Sequence, residues 1–264
     1  MKQEILSRLP EDFPWADRLQ WFDTIDSTNT RLKAMALQGA PHGTILIADR
    51  QTGGRGRMGR SFHSPEGMGI YMSILLRPEC PPDRLMHLTC AAAVAMCDAV
   101  EKSCGFRPGI KWTNDLVVGR KKLAGVLTEL VFDSSRNVAA VIGVGLNCCQ
   151  GPEDFPEEIR SIATSLAQVA ESTPDRAAIA GAMAEAFRKM DGELFCAKAD
   201  ILARYRENCI TLGKDISLLR GDELFHGHAL DVDDAGALIV RFPDGHTEAV
   251  RSGEVSVRGM YGYL

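Results

Sequence analysis

Two apolar runs, Leu123 to Phe132 and Val138 to Leu146, lie only a few residues apart and constrain the fold more than any other feature of the chain. Each has the length of a strand and neither alternates cleanly with polar residues, so both read as strands covered on both faces. Such cover calls for helices, and the sequence supplies them. Asp26-Ser27-Thr28-Asn29 offers hydroxyl and amide caps ahead of a helix through Leu32, Met35, Ala36 and Leu37 that ends at Gly39. Pro81-Pro82-Asp83 opens a long helix with Leu85, Leu88, Ala92, Met96 and Val100 at helical spacing. Two or three more follow between Ser161 and Asn208, with Asp175 as a cap. Thr44 to Ala48 reads as a short strand, and so does Gly69 to Arg77, with Ile70, Met72, Ile74 and Leu76 on one face. Ile110 to Trp112 reads as a strand end, and Val117-Val118-Gly119-Arg120 as a hairpin turn.

After Gly213 the pattern changes to short alternating segments separated by Gly221-Asp222, Asp234-Ala235-Gly236 and Asp244-Gly245. The expected fold is therefore α+β: a mixed β-sheet flanked by helices over residues 21–212, followed by a small β-barrel over 213–264. Residues 1–20 are expected to be an extension ahead of the first element, too short for a helix-turn-helix domain.

Net charge is −5, which provides no global basic field for nucleic acid. The eight cysteines contain no C-x-x-C pair and no Cys/His spacing of a zinc site, so no metal is expected and the thiols are read as reduced. Met1 to Pro10 is charged throughout and lacks the apolar stretch of a signal peptide, while Thr89 to Val100 is too short to span a bilayer. A soluble cytoplasmic protein with no membrane partner is expected.

Chemistry concentrates in two places. Gly53-Gly54-Arg55-Gly56-Arg57-Met58-Gly59-Arg60 sets three guanidinium groups among four glycines, in a loop bracketed by strands. Glycine lets backbone N–H groups approach a ligand, and arginine presents a fork of donors matched to phosphate and carboxylate. The arginines repel one another without an anion, so this loop is expected to be mobile when empty. The run is neither a P-loop nor a dinucleotide-binding fingerprint, and a plain surface turn with solvated arginines is the bland alternative. The second place is Lys111-Trp112-Thr113-Asn114-Asp115. A lysine at a strand end is ordinarily a snorkelling surface residue. Beside Trp112 and Asn114 it is also placed to bridge two anions, a carboxylate and an α-phosphate. Ser27-Thr28-Asn29 serves as a cap and offers polar groups to a ligand head, and Gly143-Val144-Gly145-Leu146-Asn147 brings bare backbone to the end of a buried strand.

Ser27-Thr28-Asn29, Gln51 with the Gly/Arg loop, Lys111 to Asp115, Lys122-Leu123-Ala124-Gly125 and Gly143 to Asn147 occur in the order seen in biotin–protein ligases, and residues 22–264 resemble that family. The resemblance implies a class II synthetase-like catalytic domain with an SH3-like C-terminal barrel, and the activity of an ATP-dependent biotin–[acetyl-CoA-carboxylase] ligase. Biotin and MgATP would give biotinyl-5′-AMP, and a lysine of a biotin carboxyl carrier protein would then take the biotinyl group. Carried over by position, Ser27, Thr28, Asn29, Gln51, Arg55, Gly56, Arg57 and Lys111 are implied to bind biotin. Arg55, Arg57, Lys111, Trp112, Asn114, Gly125, Gly145 and Asn147 are implied to bind the nucleotide, with Lys111 and Arg57 catalytic. Met58 stands where many relatives carry Arg, and Thr113 where Pro is commoner. The type without an N-terminal DNA-binding domain is expected, as monomer or homodimer. The rival readings are a lipoate–protein ligase or octanoyltransferase and a non-catalytic ligand sensor.

Overall fold

A computed structural model of the protein describes residues 1–132, 138–251 and 253–257. Among them, seven strands form the main sheet: β1 (Leu19–Ile25), β2 (Thr44–Gln51), β3 (Gly69–Leu76), β4 (Gly109–Lys111), β5 (Asp115–Val118), β6 (Lys121–Phe132) and β7 (Val138–Asn147). They run in the order β1-β2-β3-β7-β6-β5-β4, with β1 and β2 parallel and the other neighbours antiparallel. The helices are α1 (Lys2–Leu6), α2 (Thr28–Leu37), α3 (Leu88–Cys104), the single turns α4 (Glu157–Arg160) and α5 (Leu166–Val169), α6 (Arg176–Glu193) and α7 (Lys198–Asn208).

The central strand, β7, explains how the sheet makes room for a site. Its even positions, Ala140, Ile142, Val144 and Leu146, join Ile70, Met72, Ile74 and Leu76 of β3 in the large core beneath α3 and α6. Its odd positions point to the opposite face because strand side chains alternate. There Ala139 and Val141 pack under Leu32 and Ala36 of α2 in a second, smaller core. At the N-terminus of α2 the odd positions become Gly143, which lies under Asn29, and Gly145, which lies under Phe62. A cleft is left at that point, floored by bare backbone.

Several expectations are corrected. The first twenty residues contain α1 and place Ile5, Leu9, Phe13 and Trp15 in the main core. Their signal is a set of apolar residues spaced among charges, too sparse for a periodic reading. Pro81-Pro82-Asp83 opens only a 3₁₀ turn, Pro82–Leu85, and the long helix begins at Leu88. The chain breaks between them at buried His87, whose Nε2–H donates to the Leu194 carbonyl at 2.9 Å. Ile70, Met72, Ile74 and Leu76 share one face as expected, and the other face of Gly69–Leu76 is buried too. β6 is not covered throughout, since Leu130 is 37% and Phe132 50% exposed. On β6, β5 pairs only with residues from Lys121 to Gly125, which leaves the second half of β6 as a sheet edge among the described residues.

The C-terminal region is a five-stranded antiparallel sheet, β8 (Asp215–Arg220), β9 (Glu223–Val232), β10 (Leu238–Arg241), β11 (Thr247–Val250) and β12 (Glu254–Val257), in the order β11-β10-β9-β8-β12. The turn between β9 and β10 seats it on the larger unit. A Cβ on Gly236 there would stand 2.9 Å from Cys90 Sγ, so the close approach needs glycine. The last seven residues assigned to the barrel, 258–264, lie outside the described residues.

Candidate active site

One end of the cleft is a polar socket at the start of α2. Ser27 caps the helix, its Oγ accepting from the Thr30 amide at 3.4 Å. Thr28 donates twice to Gln51 Oε1, from its amide at 2.9 Å and its hydroxyl at 3.1 Å. Gln51 Nε2 in turn donates to Ser64 Oγ at 3.1 Å. Ser73 Oγ lies 2.7 Å from Thr28 Oγ1 and 2.6 Å from Asn29 Oδ1, and its single proton goes to one of them. Asn29 Nδ2 donates to Glu129 Oε2 at 3.0 Å, and Lys33 Nζ meets Glu129 Oε1 at 2.6 Å. Burial alone would raise the Glu129 pKa, but the bonds from Lys33 and Asn29, with the charge of Arg55, hold it below the ordinary carboxylate value. Each buried polar group in the socket thereby has a fixed partner and a fixed orientation. A Cβ on Gly143 would lie 2.1 Å from Asn29 Oδ1 and one on Gly145 2.4 Å from the Phe62 ring, so the alternate glycines of β7 are what admit these side chains.

The other end is an arch of Gly/Arg loop over a pinned turn. The arch closes on itself through Phe62 N to Gly54 O at 2.9 Å and Gly56 N to Arg60 O at 2.7 Å. Met58 takes a left-handed conformation, φ 55°, with its side chain 65% exposed. That geometry costs a non-glycine residue about 1 kcal/mol. Arg57 Nη1 reaches down to Thr113 Oγ1 at 3.2 Å and Asn114 Oδ1 at 3.0 Å. Lys111 ends β4 and is only 3% exposed. The strand registers set Lys111 against Asp115, Asp115 against Gly125, and Gly125 against Gly145, so one row crosses four strands beneath the arch. Asp115 Oδ1 pairs with Lys122 Nζ at 2.7 Å, close to where Gly125 has no side chain.

The turn itself is fastened from three sides. The Trp112 amide donates to Thr211 Oγ1 at 2.9 Å and its indole to Gly236 O at 3.0 Å, across to the C-terminal sheet. The Tyr205 hydroxyl donates to Thr113 O at 2.9 Å. Burial pushes the Tyr205 pKa well above its ordinary value, so it remains a neutral donor.

Twelve of the thirteen residues expected from the sequence line this one cleft: Ser27, Thr28, Asn29, Gln51, Arg55, Gly56, Arg57, Lys111, Trp112, Asn114, Gly125 and Gly145. Asn147 is apart from it. It is buried and donates through Nδ2 to the Thr164 carbonyl at 2.9 Å, tying the end of β7 to the segment before α5. Trp112 lines the cleft, but its indole N–H is committed to Gly236. Sequence reasoning missed Phe62, Gly143 as the Asn29 seat, the Asp115–Lys122 pair, and Gly253 and Val255 of the C-terminal sheet. Only Gly143 had a local signal, the Gly-Val-Gly alternation in an apolar strand. Among the described residues no three His, Cys, Asp or Glu side chains group to hold a metal, and no helix is long and apolar enough to cross a membrane.

The cleft falls within a stretch with known relatives. Residues 21–147 match the model of the biotin/lipoate A/B protein ligase family, and residues 211–258 that of the biotin protein ligase C-terminal domain. The chain is 36% identical over 228 residues to the bifunctional ligase/repressor BirA of Bacillus subtilis, covering 86% of this chain and 70% of that protein. It is 34% identical over 238 residues to the biotin–[acetyl-CoA-carboxylase] ligase of Mycobacterium tuberculosis, covering 87% and 85% respectively. Its structure is similar to that of the Aquifex aeolicus biotin protein ligase in complex with biotin and ATP, with TM-score 0.78 and 30% identity over 91% of this chain and 98% of the other.

Proposed function

The chain belongs to the biotin–protein ligases, and from that premise we propose how its cleft carries out ATP-dependent biotinylation of a lysine on a biotin carboxyl carrier protein. The observation that carries the reading is the convergence of Lys111 and Arg57 on one cleft that also holds the neutral polar socket of Thr28, Asn29 and Gln51.

The socket suits the uncharged ureido head of biotin, which needs both donors and acceptors at fixed positions. The valeryl chain then runs over Gly143 and Gly145 toward Lys111. In the first step the biotin carboxylate oxygen attacks the α-phosphorus of ATP. A carboxyl–phosphoryl bond forms, the bond from that phosphorus to the β-phosphate oxygen breaks, and pyrophosphate leaves. Two anions must touch for this to occur, and the Lys111 ammonium and Arg57 guanidinium offset their repulsion and the charge that builds at phosphorus. Magnesium would arrive with the nucleotide, where it would offset part of the polyphosphate charge. In the second step the carrier lysine amine attacks the acyl carbon. The amide bond forms, the bond from the acyl carbon to the phosphate oxygen breaks as AMP leaves, and the proton lost by the amine passes to solvent. Arg55, Arg57 and the arch keep the mixed anhydride from water in between. Residues 21–212 would be the catalytic unit, and 213–264 the appended domain.

The test is the intact mass of a carrier domain incubated with the protein, MgATP and either biotin or lipoate. A biotinyl mass gain supports the reading, a lipoyl gain transfers it to the related acyl ligases, and no gain with either removes it.

A further inference from the structure

Glu129 sets a carboxylate behind a socket whose own side chains, Ser27, Thr28, Asn29, Gln51 and Ser73, are all neutral. Burial would raise its pKa, but the bonds from Lys33 and Asn29, with the Arg55 charge, hold it below the ordinary value. At neutral pH it is therefore ionised and can only accept. Its Oε2 lies 3.0 Å from the Asn29 side-chain amide nitrogen, and the Leu127 carbonyl lies 3.3 Å from the same atom. Two acceptors require a donor there, so Nδ2 faces them and Oδ1 faces Ser73 Oγ at 2.6 Å. An amide oxygen has no proton to give, and the proton of that bond comes from Ser73. The 2.7 Å contact of Ser73 Oγ with Thr28 Oγ1 then takes its proton from Thr28, which shares it with Gln51 Oε1 at 3.1 Å. With its proton spent inside the network, Thr28 Oγ1 meets the cleft as an acceptor.

We infer that Glu129 is a positioning residue: through Asn29 and Ser73 it sets the direction of the hydroxyl protons, keeps Thr28 an acceptor, and so selects a head group that presents an N–H at that point. This rests on the ligase reading above and deepens it, since a cyclic urea carries such an N–H and a dithiolane ring does not. With the Asn29 amide reversed, Ser73 would give its proton to Thr28. The Thr28 proton would then be free to turn into the cleft, where donor would meet donor. An uncharged partner at position 129 cannot enforce one sense, because an amide offers both a donor and an acceptor. The Lys33 ammonium, 2.6 Å from Glu129 Oε1, balances the charge on the side away from Asn29.

The experiment exchanges the two groups in the full-length protein: Asn29→Asp, Glu129→Gln, and both together, with biotin affinity read by calorimetry. Asn29→Asp alone sets two carboxylates face to face and should weaken biotin on the order of 100-fold. Glu129→Gln alone leaves an amide that can turn either way and should cost about fivefold to tenfold. That loss should appear in the KM for biotin, with kcat and the KM for ATP changed by less than about twofold. In the double variant the new amide donates to the new carboxylate, whose other oxygen still accepts from Ser73. Affinity should then return to within about fivefold of wild type. A second cycle cuts the path: in a Ser73→Ala background, Glu129→Gln should cost less than about twofold more. Should the exchanged variants fail to fold, Ser73→Ala decides alone, with an expected loss of about tenfold in biotin affinity; an unchanged affinity overturns the inference. Additive losses in the double variant, or an equal cost of Glu129→Gln with and without Ser73, also overturn it. A wild type that binds no biotin removes the ligase reading itself, whereas wild-type binding without recovery in the double variant removes only the role of Glu129.

Discussion

At the socket end of the cleft, Ser27, Thr28 and Asn29 are each 3–4% exposed, and hydrogen bonds link Thr28 and Asn29 to Gln51, Ser73 and Glu129. At the arch end, Arg55, Met58 and Arg60 are exposed, and the ties of the loop include its own backbone pairs and the bonds of Arg57. The socket is built on α2 and the strands, the arch on glycine and left-handed turns. A buried network whose members are all satisfied holds one shape and suits recognition of a neutral head. An exposed cationic span moves at little cost, and it suits charge stabilisation and release. Lys111 is the exception that joins them: it sits under the arch but is buried as deeply as the socket.

This contrast is testable in graded fashion. Lys111→Ala should reduce biotinyl-5′-AMP formation on the order of 10³-fold, measured as pyrophosphate release, while biotin binding weakens but persists. Near wild-type turnover would deny the bridging role. Gly143→Ala drives a methyl to within 2.1 Å of Asn29 Oδ1 and should lower biotin affinity about 100-fold by calorimetry. A normal affinity would show the socket to be as yielding as the arch. Arg57→Gly should slow adenylation less than Lys111→Ala does and speed adenylate dissociation about 30-fold, read as promiscuous lysine labelling of bystander protein. An unchanged off-rate would remove the arch from retention.

The smallest effect concerns pH. Because the folded-state pKa of Glu129 lies below its ordinary value of 4.5, the stability its bonds supply is complete above about that pH. It is lost as pH falls through the lower folded value. Thermal melts should therefore show the wild type losing its advantage over Glu129→Gln only in acid, and a gap independent of pH would contradict the assigned ion pair.

How much of this was legible from the sequence depends on how local each cause is. The cap at Ser27, the helix to Leu37, the Gly/Arg loop and the burial of β7 follow from neighbouring residues, and the structure has them where the sequence put them. The break at His87 coincides with a hydrogen bond to a carbonyl 107 residues away, and nothing nearby announces that partner. The same holds for Trp15, whose ring packs against His42 and Gly43, and for Phe13, which packs on Trp15. In the site, residue types with a charge or a hydroxyl were found, and Phe62 was not, because an aromatic in a loop has no signature until Gly145 is seen beneath it. Asn147 misled for the converse reason: it follows two glycines in a row of site residues, yet its amide is spent on Thr164.

The division of labour between a rigid neutral socket and a cationic arch is tested most directly by a crystal structure of the protein with biotinyl-5′-AMP. The account places the bicyclic head against Thr28, Asn29 and Gln51 and the phosphate within hydrogen-bonding reach of both Arg57 and Lys111. A phosphate seated away from those two side chains, or a head group outside the socket, would contradict it.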